Sequence, residues 1–94
     1  MARRSGGLIV ALLQAIGFVI VGILVIHILL TLFGANPANA FATFITNAAN
    51  FLAFGLGNLF VIANPKVMVL VNYGLAAIIW LLIIGVLTRL ARRA

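Results

Sequence analysis

No aspartate or glutamate occurs anywhere in the 94 residues, and two long stretches, Leu8–Phe33 and Val67–Thr88, carry no charged side chain. The six basic residues all lie outside them: Arg3 and Arg4 before the first, Lys66 just before the second, and Arg89, Arg92 and Arg93 after it. A water-soluble domain needs a surface rich in both signs of charge, and this chain lacks the residues to build one. A bilayer can host it. The hydrophobic fraction is 67% and the charged fraction 6%, against roughly a quarter charged in ordinary globular chains, so a single membrane domain is the class that fits.

An apolar run of about 20 residues crosses the hydrocarbon layer at ~1.5 Å per residue. Val67–Thr88 fits that thickness closely, and the longer Leu8–Phe33 would tilt or project beyond it. Arg3 and Arg4 ahead of an apolar run, with Ala38-Asn39-Ala40 further on, have the outline of a cleavable signal. The run exceeds the roughly 7–15 apolar residues of a signal peptide, which predicts a retained span.

Positive residues collect on the cytoplasmic side of spans. Arg3 and Arg4 place the amino terminus inside, and Arg89, Arg92 and Arg93 place the carboxyl terminus inside, where they also meet lipid headgroups. Two crossings satisfy both. The expected fold is therefore an all-α membrane protein, a two-span helical hairpin with an amphipathic interfacial helix between the spans. Its parts are a transmembrane helix at 8–33, an outer-face helix at 37–60, a second transmembrane helix at 66–88 and a basic tail at 89–94. The expected location is a bacterial plasma membrane.

Asn36-Pro37 and Asn64-Pro65 are helix-start signals. Asparagine accepts hydrogen bonds from first-turn amides, and proline at the first helical position gives up an amide that would be orphaned there. After Pro37, Phe41, Phe44, Ile45, Ala48, Phe51, Leu52, Leu56 and Leu59 recur at helical spacing, opposite Asn39, Thr43, Thr46, Asn47, Asn50 and Asn58. That pattern predicts an amphipathic helix of about 20 residues. Phe54 falls near the polar face and points to a buried contact. In the alternative arrangement this segment is a third span, or a re-entrant one. A third span would separate the two arginine clusters and require partners for its asparagines inside the membrane.

Few residues within the spans are polar. Antiparallel spans place His27 at the depth of Asn72 and Tyr73, so a His27–Asn72 hydrogen bond is expected, with Tyr73 as a substitute. Gln14 has no obvious partner across the pair, because Trp80 is the nearest polar side chain on the second span. A buried amide in lipid is costly unless paired, which marks Gln14 as a candidate contact to another subunit or another copy. The small residues Gly7, Ala11, Ala15, Gly17 and Gly22, with Gly74, Ala77 and Gly85, allow close helix approach. Trp80, mid-span, reads as a packing or partner-contact residue.

The chain has no cysteine and no carboxylate, which removes thiolate chemistry, carboxylate ion sites and acid–base pairs. No catalytic residue, cofactor or metal is expected, and the few cations, set at span ends, argue against nucleic acid as a partner.

The stretch Ile26–Ile84 resembles the YggT family of small bacterial membrane proteins, which also occurs in plastids. The resemblance rests on Leu30–Phe33 at the end of a span, Asn36-Pro37, the aromatic-rich Phe41–Phe60 and the apolar Val67–Leu87. His27 and Thr31-Leu32-Phe33 stand where the family carries an arginine and Ser-Trp, and the family's Thr-Glu-Pro stretch is absent. The resemblance implies two spans around an amphipathic segment; plastid members are linked to cytochrome assembly.

The function expected from these features is that of a small, non-catalytic accessory or scaffold subunit of a larger membrane complex. Its partners would be membrane lipids and other subunits, met through Gln14, Trp80, Asn47, Asn50 and the small-residue faces. One alternative is a homo-oligomer enclosing a pore, with Asn47, Asn50 and Asn58 around a neutral vestibule. A second is a haem-binding protein using His27.

Overall fold

A computed structural model of the chain describes residues 2–36 and 38–93, with side chains from residue 7 onward. The expectations for Arg3, Arg4 and Pro37 lie outside the described side chains. Three helices follow one another: α1, Ala2–Leu32; α2, Ala40–Leu52; and α3, Pro65–Arg93, with a 3₁₀ turn at Leu56–Asn58 between the last two. No strand occurs among the described residues.

α1 and α3 run antiparallel, since Gly17 lies against Ile84 while His27 lies against Tyr73. Each contains a stretch long and apolar enough to cross a membrane, Gly7–Leu32 and Pro65–Arg93. Only 17% and 22% of their most apolar windows are buried within the chain. A core helix of a soluble domain would be mostly covered by its own protein; here Leu8, Leu12, Phe18, Leu81, Leu82 and Val86 point outward.

Each helix end has a local cause. α1 stops in a Schellman turn: Gly34 has φ +70°, its amide donates to the Thr31 carbonyl, and the Ala35 amide donates to that of Leu30. Glycine takes that left-handed conformation without the Cβ penalty. α3 begins as its sequence signal predicts. The Asn64 Oδ1 accepts from the Lys66 and Val67 amides at 3.0 and 3.4 Å, with Pro65 as first helical residue.

The middle helix differs from expectation at both ends. Asn36 makes an Asx turn to the Ala38 amide, and the cap of α2 is Asn39, whose Oδ1 accepts from Phe41 and Ala42. The expected helix over 37–60 therefore begins at Ala40, and it closes after 13 residues. Phe54 (φ 54°) and Gly55 (φ 80°) both turn left-handed and reverse the chain. A phenylalanine in that region costs about 1–3 kcal/mol. Its ring is stacked on Trp80 at 5.0 Å with 24° between planes, which offsets part of that cost.

The buried cluster lies where α2 meets the pair: Leu24 and Ile28 from α1, Ala49 and Ala53 from the middle segment, Tyr73, Ala76 and Ala77 from α3. Four alanines in seven positions let three backbones come close. α2 presents three sides. Ala42, Ile45 and Ala49 face the pair, Asn39, Thr43, Asn47 and Asn50 form a polar side, and Phe44 and Phe51 project outward at 64% and 83% exposure. The amphipathic pattern is real, but its phenylalanines do not face the protein core.

Candidate functional site

The polar side chains of α3 converge on the segment that follows α2. Asn72 is fully buried. Its Oδ1 accepts from the Phe60 amide at 3.0 Å, and its Nδ2 donates to the carbonyls of Gly57 and Phe60 at 2.9 Å each. One side chain thus satisfies three backbone groups of a turn that has no ladder of its own. This replaces the expected His27–Asn72 bond: the backbone offers Asn72 one donor and two acceptors at once, whereas a neutral imidazole has a single donor and a single acceptor on ring nitrogens that point apart.

Tyr73, the next residue, takes the other partner. Its ring meets the His27 ring edge-on at 4.5 Å and 65°. Its hydroxyl donates to the Asn50 Oδ1 and ties α3 to the polar side of α2. Gly57 makes room for that hydroxyl, since a Cβ there would lie 2.7 Å from the Tyr73 oxygen. Two turns further along α3, the Trp80 Nε1 donates to the Leu52 carbonyl at 2.8 Å. That carbonyl belongs to the last residue of α2, where helix carbonyls lack internal partners. Trp80 therefore closes the helix with its nitrogen and holds Phe54, just beyond the helix end, with its ring.

His27 is buried, and Thr31 beside it bonds back to the His27 carbonyl at 3.0 Å. A recess of about 220 Å³ opens beside His27, bordered by Thr31, Ala35 and Thr46. This is below the roughly 300–1,000 Å³ usual for small-molecule sites. No group of three or more metal-ligating side chains occurs among the described residues.

Of the sequence candidates, then, His27, Asn50, Phe54, Asn72, Tyr73 and Trp80 come together around the middle segment. Gln14, Asn47, Arg89, Arg92 and Arg93 do not. Asn47 is exposed on α2, and Gln14 is exposed toward the other end of α1, with no side-chain hydrogen bond among the described residues. Gly7, Ala11 and Ala15 are likewise exposed. Arg89, Arg92 and Arg93 are exposed at the end of α3. Sequence reasoning did not single out Gly57 or Thr88. Gly57 carries no local signal, because its role depends on Tyr73 arriving from 16 residues away.

Replacing Trp80 with phenylalanine keeps the stack on Phe54 but removes the donor to Leu52. The expected loss is about 1 kcal/mol, seen as faster amide exchange over the last turn of α2. Unchanged exchange there would show that the Leu52 carbonyl does not depend on the indole.

The arrangement defines a class: an all-helical chain with two membrane-length helices and a third short helix fastened to one end of them. The chain matches no family model, no curated protein and no solved structure.

Proposed function

We propose that this protein is a two-span hairpin of a bacterial plasma membrane, with both termini cytoplasmic, serving as a small non-catalytic scaffold or accessory subunit of a larger membrane complex. One observation carries the reading. The polar side chains of the spans at this end of the molecule, Asn72, Tyr73 and Trp80, are spent on fixing α2 and the turn after it in place. A polar group within a membrane is costly and is commonly tied to function. Here it shapes a rigid outer face, so the face is the product.

In this reading α2 lies along the outer interface. Phe44 and Phe51 enter the lipid or a partner's apolar edge, and Asn47 faces water or a partner's backbone. The resemblance to the YggT family belongs with this proposal, as it implies the same order of elements. The arginines at 89, 92 and 93 and the pair at 3 and 4 set the orientation.

The test is purification of the tagged chain in mild detergent, with intact mass and an absorption spectrum from one sample. The expected result is unlike subunits at fixed stoichiometry, reduced severalfold by the pair Asn47→Ala and Phe51→Ser, which leaves the buried face of α2 intact. A pure multiple of the 10.0 kDa chain would replace this reading with self-assembly, and a Soret band would bring His27 forward as a haem ligand.

A further inference from the structure

A face of the α1–α3 pair to which α2 contributes no residue carries two recesses of different character that share part of their lining. The larger, about 470 Å³, is apolar and bordered by Phe18, Val21, Gly22 and Val25 of α1 with Leu81 and Ile84 of α3. Gln14, Leu81 and Ile84 also border a second recess of about 350 Å³, whose remaining lining is Gly85, Thr88, Arg89 and Arg92. The two spaces therefore adjoin. One end is lined by apolar side chains and glycine, and the other is bordered by Arg89, Arg92, Gln14 and Thr88.

The hydroxyl is the independent sign of a ligand. Thr88 is 7% exposed, and its Oγ1 is the buried side-chain polar atom without a hydrogen-bond partner among the described residues. A threonine in a helix commonly bonds back to its own preceding turn, as Thr31 does to His27. Thr88 does not, and it lines the same recess as Arg89 and Arg92. Gln14, placed where the two spaces meet, is a second polar group in need of a partner.

We propose that this groove binds one anionic glycerophospholipid. Its phosphate is held by Arg89 and Arg92, with the Thr88 hydroxyl, covered by the chain itself, turning to donate to it; its ester carbonyl accepts from Gln14, and one acyl chain lies past Gly22. Charge selects the occupant: basic pockets between spans on the cytoplasmic side suit anionic headgroups, and arginine binds phosphate in a two-pronged geometry. The distribution of polarity selects it too, since a protein helix in the groove would not require cations at one end alone. The glycines make the space. A Cβ built at Gly22 or Gly85 meets nothing within 4 Å, whereas one at Gly17 strikes Ile84. Gly17 closes the floor of the groove; Gly22 and Gly85 keep it open.

This inference rests on the reading of α1 and α3 as spans. The test takes the full chain in mild detergent and titrates it, in native mass spectrometry, with phosphatidylglycerol and phosphatidylcholine of identical acyl chains. One equivalent of phosphatidylglycerol should be retained, with a preference of about tenfold or more over phosphatidylcholine. The pair Arg89→Gln and Arg92→Gln should abolish the preference. Gly22→Leu and Gly85→Leu, whose Cβ atoms meet nothing within 4 Å, extend into the groove and should each weaken binding about tenfold, with helicity unchanged. Equal binding of both lipids, indifference to Gly22→Leu, displacement of the lipid by millimolar inorganic phosphate, or a second protein chain in place of lipid would each overturn the proposal. Alkaline carbonate extraction of the same membranes separates the two levels. A chain that washes out defeats the spanning reading and this one with it; a retained chain with no lipid preference defeats this one alone.

Discussion

Asn72→Leu should release the turn between α2 and α3 while leaving the two long helices paired. Leucine has the same number of side-chain heavy atoms and the same branch point as asparagine, so it can occupy the site without opening a cavity, although its methyl groups are bulkier than the amide they replace. What it cannot supply is the donor and acceptor set now facing the Phe60 amide and the carbonyls of Gly57 and Phe60. Leaving buried backbone groups unpaired costs about 1–3 kcal/mol each. These three are partly covered, so the set is worth about 3 kcal/mol. That corresponds to roughly a hundredfold in the equilibrium between docked and open turn. Hydrogen exchange over residues 55–64 should accelerate by about that factor, with protection in the middle of α1 and α3 preserved. Equal protection in the variant and the parent chain would mean that the turn is held by its own geometry and that Asn72 follows it.

The same residue shows why part of this site was hidden from sequence. Depth could be read: counting from the ends of the apolar runs places His27 beside Asn72 and Tyr73, and His27 does meet Tyr73. The choice of hydrogen-bond partner could not be read, because it depends on a turn folding back over α3. The two long apolar helices were legible for a simple reason. Lipid penalises charge at every position, so 26 and 22 uncharged residues in a row are a strong constraint.

Asn64-Pro65 was legible because capping is local, and all its partners lie within three residues. Asn36-Pro37 shows the limit of that argument. Asn36 and Asn39, three residues apart, offer two possible caps, and the chain uses the second. The length of α2 was not legible either. Leu56 and Leu59 continue the helical spacing, but spacing records which side chains could share a face, not whether the backbone goes on. The backbone stops at Phe54 and Gly55, both left-handed, where the Phe54 ring stacks on Trp80, 26 residues along the chain. The polar-face position of Phe54 pointed to a buried contact; the ring does meet Trp80, but it stays 57% exposed, so the contact is not a buried one.

The second large effect concerns the opposite end of the pair, where two glycines five residues apart should respond in opposite directions. Gly17→Leu places a Cβ 2.9 Å from Cγ1 and 3.0 Å from Cγ2 of Ile84. Those atoms sit at the branch of a stiff side chain on a helix, so neither helix can yield locally. The pair must separate there, at a cost of about 1–3 kcal/mol for overpacking, and the packing on either side loosens with it. At Gly22 the added Cβ meets nothing within 4 Å, so the leucine side chain starts into open groove. The substitution replaces a poor helix former by a good one, which by itself favours the helix by under about 1 kcal/mol. Thermal unfolding in one detergent, followed by circular dichroism, should therefore show Gly17→Leu lowered by several degrees and Gly22→Leu unchanged or raised. If both variants fall together, the register that sets Gly17 against Ile84 is wrong, and the groove that depends on it is misplaced. If they part as expected, Gly17 is a contact between helices and Gly22 is an opening, although both read simply as small residues on one apolar run.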